Sequence, residues 1–202
     1  MIKESLFSLA LQCAASVHPD TIHDIAKVES GFNPYAIAEI KKNGKVTSHL
    51  PKTKNEALQI ISRLKSENAR YSVGLMQIYS GNFKEFQVTP EELLDRCRNL
   101  NIFEKIIVDC YQRGGNILNA LSCYYSGNFD TGKKKESQFA NTSYIERIGI
   151  KENNYIVPST KNEKIQNKEV MTVELEKMID PIISSNKTIY PRYVMRGVVK
   201  GN

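Results

Sequence analysis

Glycine and proline divide the first 150 residues into short segments with helical periodicity, and this pattern most constrains the fold. Pro19 opens one such segment, since proline is tolerated in the first turn of a helix. Gly31, the pair Gly114-Gly115 and Gly127 follow three apolar stripes, where glycine is a natural helix stop. The pattern predicts a mainly α-helical domain.

Individual helices follow from the spacing of apolar residues between these stops. We expect helices over residues 2–16 and 19–30, and a short one over 142–148. Thr53-Lys54-Asn55-Glu56 is typical of a capping box, and Thr89-Pro90-Glu91-Glu92 is a second start signal. The other apolar stripes are Ala57, Ile60, Ile61 and Leu64; Phe103, Ile106, Ile107 and Cys110; and Ile117, Ala120, Leu121 and Tyr124.

Residues 38–52 are polar and contain the only β-type signal. Asn43-Gly44 is a turn sequence that joins short antiparallel strands. We therefore expect at most a small β-hairpin here.

The composition changes after residue 150. Residues 151–202 are rich in Asn, Lys, Glu and Ser, and their nine Lys and Arg against six Asp and Glu give 9 − 6 = +3. This composition is typical of a flexible tail, with one short helix possible over residues 170–183. We predict a domain over residues 1–150 and a polar tail over 151–202.

The net charge of +6 suits an anionic partner, but the basic residues are scattered. The longest basic run, Lys133-Lys134-Lys135, is more typical of a solvated loop than of a nucleic-acid site. No apolar run approaches the ~20 residues that cross a membrane. Leu6–Ala15 contains Gln12 and is interpreted as a mature helix, so no export signal is evident.

Four cysteines are present, and neither a CxxC pair nor a histidine at zinc spacing accompanies them. We expect no metal and no other cofactor. An even count fits either two disulfides in an oxidising compartment or buried free thiols.

Glu29 is the most informative single residue. It continues the apolar stripe of Ile22, Ile25 and Ala26 near the end of the second predicted helix. Partial burial and the helix dipole would both raise the pKa of its carboxyl group, as a general acid near neutral pH requires. From periodicity alone, a carboxylate that reaches solvent or pairs with a lysine is the better interpretation.

Three sequence segments that occur in a characteristic order favour the catalytic interpretation of Glu29 instead. They are residues 29–35 (ESGFNPY), 74–78 (GLMQI) and 120–128 (ALSCYYSGN). They resemble the catalytic-glutamate segment, the GLMQI segment and the Ala-Leu to Tyr-Asn-x-Gly segment of the lytic transglycosylases. The resemblance covers about residues 5–150 and implies a lysozyme-like, mainly helical fold.

The resemblance is closest to the small branch that accompanies type IV secretion and conjugation. Cys97-Arg98-Asn99-Leu100 and Asp109-Cys110 also look like that branch. In such enzymes Glu29 would be the general acid and then the base at the bond between N-acetylmuramic acid and N-acetylglucosamine. The muramic 6-hydroxyl would attack, leaving a 1,6-anhydro product. A second carboxylate, as in paired-carboxylate glycosidases, is not required.

The resemblance also implies a set of substrate-binding residues, each with an alternative. Ser30 would support the catalytic segment or bond its own backbone, and Gln77 would bind sugar or stabilise its loop. Tyr124 would point its hydroxyl at the catalytic carboxylate or be a core tyrosine. Tyr125 stands where the family has Asn; its hydroxyl can donate one hydrogen bond but lacks the amide's two-sided reach. Tyr144 would line the cleft or pack.

A peptidoglycan substrate implies the periplasm or cell envelope of a bacterium, which favours disulfides. Cys110 with Cys123 is the first choice and leaves Cys13 with Cys97, although three pairings are possible. The expected partners are glycan strands and, through the tail, type IV secretion or pilus subunits. The alternatives are a lysozyme-type hydrolase and a non-catalytic assembly factor that binds peptidoglycan.

Overall fold

A computed structural model describes residues 5–149 of the protein. The predicted tail over residues 151–202, with its proposed helix and partner contacts, lies outside the described residues. The helices within 5–149 are α1 (Leu6–Cys13), α2 (Pro19–Ser30), α3 (Lys54–Ser66), α4 (Arg96–Gly114), α5 (Ile117–Ser126) and α6 (Tyr144–Ile148). Short 3-10 turns occur at Ser80–Asn82, Glu92–Leu94, Thr131–Lys133 and Ser137–Phe139.

Several of the predicted start and stop signals lie at helix ends. The signal at Thr89-Pro90-Glu91-Glu92 was wrong as a helix start, because only the 3-10 turn Glu92–Leu94 follows it and α4 begins at Arg96 with Asp95 as its cap. Pro19 lies in the first turn of α2, and Gly31 ends that helix in the left-handed conformation at φ 57°. The Thr53 side chain accepts a hydrogen bond from the Glu56 amide at the start of α3. The mainly helical class is therefore confirmed. The first helix is shorter than the expected range of residues 2–16, because it begins at Leu6 and ends at Cys13.

The β-structure is larger than the predicted hairpin. That hairpin forms from β1 (Ile37–Ile40) and β2 (Val46–His49), but β3 (Arg70–Val73) and β4 (Ile78–Tyr79) extend it. The four antiparallel strands have the order β2-β1-β3-β4. The expectation of at most a hairpin was wrong because β3 and β4 have four and two residues, too few for a periodic signal.

The centre of the domain is α5, which packs against α4 and α6. Seven of its ten residues, from Ala120 to Ser126, are buried. A helix that is buried on nearly all sides belongs to the core of a domain, so the tyrosines of the third motif lie inside the protein.

Within residues 5–149, no helix is long and apolar enough to cross a membrane.

Two disulfides attach α4 to its neighbours. Cys13 of α1 bonds to Cys97 in the first turn of α4, and Cys110 of α4 bonds to Cys123 of α5. These are the two pairs named first from the sequence. Because Cys13 and Cys97 lie 84 residues apart, this bond closes a long loop and strongly restricts the unfolded chain.

Glu39 of β1 is a buried carboxylate, 3% exposed, beneath three basic side chains. It bonds to Lys41, to His49 Nε2 at 3.0 Å and to Arg63 Nη2 at 3.2 Å. Burial alone would raise the pKa of this carboxyl, but the hydrogen bonds from Lys41, His49 and Arg63 outweigh it and lower the pKa to about 2. The cluster connects the sheet to α3.

We predict that this cluster makes the domain sensitive to acid. Because folding lowers the pKa of Glu39, its contribution to stability is present above about pH 4.5 and is lost as the pH falls towards 2. Glu39→Gln should lower the free energy of unfolding at pH 7 by about 1–3 kcal/mol and flatten its decline between those pH values.

Urea unfolding at a series of pH values measures both effects. The control is Glu67→Gln, which removes an exposed partner of the same arginine and should change stability by less than about 0.5 kcal/mol. Parallel pH profiles for wild type and Glu39→Gln would contradict the prediction.

Candidate active site

Glu29 lies in the last turn of α2 and is fully buried. One hydrogen-bond partner of its carboxyl group comes from the C-terminal end of the described residues. The hydroxyl of Tyr144, the first residue of α6, donates to Glu29 Oε1 at 2.5 Å. Tyr144 is itself fully buried, so this hydrogen bond is formed away from solvent.

This position favours an acid that can give up its proton and recover it. Burial and the C-terminal end of a helix both oppose negative charge on the Glu29 carboxyl. The Tyr144 hydroxyl favours the charged form instead, because its donated hydrogen bond stabilises the Glu29 carboxylate once the carboxylate forms. It also fixes which way Oε1 points.

The GLMQI segment is a tight loop between β3 and β4. Gly74 and Gln77 both have left-handed backbones, at φ 85° and 53°. The Gln77 side chain is buried, and its Nε2 donates to Ala36 O at 2.9 Å and Gly74 O at 2.8 Å. Its Oε1 has no hydrogen-bond partner within residues 5–149. The amide nitrogen therefore stabilises the loop, and sugar binding by Gln77 stays a prediction.

Asn99 of α4 supports the same loop from below. Its Oδ1 accepts from the Met76 amide at 2.8 Å, and its Nδ2 donates to the carbonyls of Val73 at 3.1 Å and Leu93 at 2.9 Å. A Cβ on Gly74 would lie 2.2 Å from Asn99 Nδ2, so only glycine fits there. Asn99 was not predicted as a site residue.

A sequence signal for Asn99 was nevertheless present. It lies four positions before Phe103, so it continues the apolar stripe of α4 as a buried amide. A buried polar side chain needs hydrogen-bond partners, and only the fold shows that the partners are the loop backbone.

Tyr124 connects the third motif to the second. Its hydroxyl donates to the carbonyl oxygen of Met76, and its ring contacts Phe103 edge-on at a centroid distance of 5.1 Å. The hydroxyl thus helps to hold the GLMQI loop against α5. A role of Tyr124 at Glu29 stays a prediction.

Ser30 and Tyr125 are both buried. The Ser30 hydroxyl donates to Ala26 O at 3.1 Å, which matches the backbone alternative considered for it. The Tyr125 hydroxyl donates to both carboxylate oxygens of Glu136, at 2.8 and 2.9 Å. Burial, and then the Glu136 charge, raise the pKa of Tyr125 far above its ordinary value. Sugar contacts by either residue stay predictions.

The fold therefore gathers the three motifs into one region. The segment after Glu29 meets the GLMQI loop where the Gly74 amide donates to Ala36 O at 2.8 Å. Tyr124 meets the same loop at Met76, and Tyr144 meets Glu29.

Within residues 5–149 there is no group of three or more His, Cys, Asp and Glu side chains that could hold a metal ion.

The comparison with known families agrees with this arrangement. Residues 7–146 match the family described as Transglycosylase SLT domain. The matched range contains Glu29, the GLMQI loop, α5 and Tyr144. The chain therefore belongs to the SLT-domain transglycosylase family.

Two of the most similar curated proteins carry related names. "Type IV secretion system protein virB1" of Brucella abortus is 35% identical over 149 residues, which cover 69% of this chain and 60% of that protein. "Protein virB1" of Agrobacterium fabrum is 31% identical over 165 residues, which cover 78% and 63%. The chain thus matches about three fifths of the length of these relatives. No solved structure matches the chain significantly.

We predict that Asn99→Ala loosens the GLMQI loop. The change leaves the Met76 amide and the Val73 and Leu93 carbonyls without this partner. The free energy of unfolding should fall by about 2–4 kcal/mol, since each buried group left unpaired costs about 1–3 kcal/mol.

Chemical denaturation measures this change. The matched control is Asn101→Ala on the same helix, at a partly exposed position, which should cost less than about 1 kcal/mol. Equal losses for the two variants would show that Asn99 has no special role beneath the loop.

Proposed function

We propose that the protein is a peptidoglycan lytic transglycosylase in which Glu29 is the single acid and base. The observation that carries the proposal is the buried Glu29 carboxyl at the end of α2, held by the Tyr144 hydroxyl. It occurs in a chain of the SLT-domain transglycosylase family, next to the other two motifs of that family.

The proposed substrate is the β-1,4 bond between N-acetylmuramic acid and N-acetylglucosamine. Glu29 donates its proton to the bridging oxygen, and the bond from that oxygen to C1 of the muramic sugar breaks. Glu29, now a carboxylate, removes the proton of the muramic 6-hydroxyl while the oxygen of this hydroxyl forms a new bond to C1. The acid is regenerated, no water is consumed, and the product carries a 1,6-anhydro ring.

Tyr144 has a defined part in this cycle. Its hydroxyl stabilises the Glu29 carboxylate that exists only between the two proton transfers. Ser30, Gln77 and Tyr124 complete the proposed substrate-binding set, whereas the Tyr125 hydroxyl donates to Glu136. Of these, Gln77 is fully buried, and its Oε1 accepts no hydrogen bond from residues 5–149.

The biological setting is proposed from the relatives. One relative's name places it in a type IV secretion system. We infer that this chain opens the cell wall locally for a type IV secretion or conjugation apparatus in the periplasm or cell envelope. The two disulfides fit an oxidising compartment. Contacts with secretion or pilus subunits are assigned to residues 151–202.

The deciding prediction concerns Glu29→Gln. Wild-type protein incubated with sacculi should release 1,6-anhydro-muropeptides, identified by mass spectrometry. Glu29→Gln should release them at least about 100-fold more slowly, the usual contribution of a general acid and base, while binding of sacculi persists. Glu85→Gln changes an exposed glutamate and serves as the matched control.

Three other results would each exclude part of the proposal. Undiminished release by Glu29→Gln would remove the catalytic assignment. Products with ordinary reducing ends would identify a lysozyme-type hydrolase, because water would then be the attacking group. Wild-type protein that binds sacculi and releases nothing would identify a non-catalytic assembly factor.

We predict a separate effect for Tyr144→Phe. The variant keeps the ring and loses the hydroxyl at Glu29, so kcat should fall about 10- to 100-fold, the equivalent of one hydrogen bond to a charged group. KM and the melting temperature should change little. Tyr111→Phe, on the partly buried face of α4, is the control, and an unchanged kcat in Tyr144→Phe would contradict the assignment.

A further inference from the structure

The ring of Tyr144 is stacked on that of Tyr125. The two centroids are 4.3 Å apart and the planes differ by 14°. Tyr125 occupies the position where the family segment has an asparagine, a side chain with no ring to stack. The chain therefore supports its Glu29 partner with a contact that the family residue cannot make.

Tyr125 is in turn held by an ion pair that is largely removed from water. Its hydroxyl donates to the Glu136 carboxylate, and Arg147 Nη2 donates to Glu136 Oε2 at 3.0 Å. The side chains of Arg147 and Glu136 are only 8% and 17% exposed. Arg147 also lies over three rings, 4.2 Å from the centroid of Phe139 and 5.7 and 5.8 Å from those of Tyr125 and Tyr144.

The need for such support follows from the element that carries Tyr144. Helix α6 has five residues, and so short a helix has little stability of its own. The capping box of Ser143 and Glu146 fixes where α6 begins, but it does not set the tilt of the Tyr144 ring. The Tyr144 ring is stacked on Tyr125 and lies 5.8 Å from the Arg147 guanidinium.

We propose that Tyr125, fixed by Glu136 and Arg147, is a positioning residue that orients Tyr144 and through it the Glu29 carboxyl. This inference rests on the proposed function, since the orientation matters most for proton transfer. A group misplaced by about 1 Å loses much of its effect on the reaction rate. The alternative is that the cluster only packs α6 onto α5, which would affect stability and not the chemistry.

A double-mutant cycle separates the two roles. Tyr125→Leu removes the ring and leaves the Glu136–Arg147 pair, and it should lower kcat about 5- to 20-fold with KM within about twofold. In the Tyr144→Phe background the same change should cost less than about twofold, because the hydroxyl to be positioned is absent. Equal losses in both backgrounds would overturn the inference.

Two conservative variants sharpen the cycle. Tyr125→Phe keeps the stack and loses only the hydrogen bonds of the hydroxyl, to Glu136 and from Arg147 Nη2, so it should recover most of the kcat lost in Tyr125→Leu. Arg147→Lys keeps the charge but loses the planar contact with the rings, and it should lower kcat several-fold. Arg113→Lys is the matched control, since Arg113 pairs with Asp109 and lies over Phe129 away from Tyr144. An effect of equal size in Arg113→Lys would contradict the inference.

A readout that needs no turnover distinguishes failure of this inference from failure of the proposed function. Carbon-13 NMR of labelled glutamate follows the titration of Glu29 in folded protein. Tyr144→Phe should raise its midpoint by removing a donor to the carboxylate, and Tyr125→Leu should move it in the same direction. A midpoint that Tyr144→Phe shifts and Tyr125→Leu leaves unchanged overturns the positioning role, whether or not wild-type protein releases anhydro products.

Discussion

The hydrogen bond between Tyr144 and Glu29 is the interaction on which the arrangement of the proposed active site depends. It joins the end of α2 to the start of α6 across 115 positions of sequence, inside the protein. The bond forms because the packing of α6 places its first residue within reach of α2. The central helix α5, packed on α6, then determines how Tyr144 is held.

The second requirement is a rigid GLMQI loop, which contacts the segment after Glu29 at Ala36. The GLMQI loop has left-handed backbones at Gly74 and Gln77, a conformation that tertiary contacts must maintain. Asn99 of α4 bonds to Met76 in the loop, to Val73 at the end of β3 and to Leu93 of a neighbouring turn. Gln77 supplies two hydrogen bonds and Tyr124 supplies one from α5. Side chains with no direct part in chemistry thus position the motif that is expected to meet substrate.

Prediction from sequence succeeded where a signal is local. The end of α2 at Gly31 and the start of α3 at Thr53 follow from capping chemistry that a few adjacent residues complete. Strands β3 and β4 escaped detection because they are very short, and they are held by pairing with β1 and with each other. Asn99, Glu136 and Arg147 were missed as site residues because their partners lie elsewhere in the sequence and only the fold brings them into contact.

The sequence by itself determined the helical class and identified Glu29, because periodicity and ordered motifs need no knowledge of distant contacts. Only the tertiary structure decided what surrounds Glu29. In the structure the Tyr144 hydroxyl donates to Glu29, and the Tyr124 hydroxyl donates to the Met76 carbonyl. The Tyr125 ring is stacked on Tyr144, next to the ion pair of Glu136 and Arg147. The physical reason is that a buried polar group is satisfied by whichever partner the packing of whole helices brings within about 3 Å, and sequence spacing does not encode that choice.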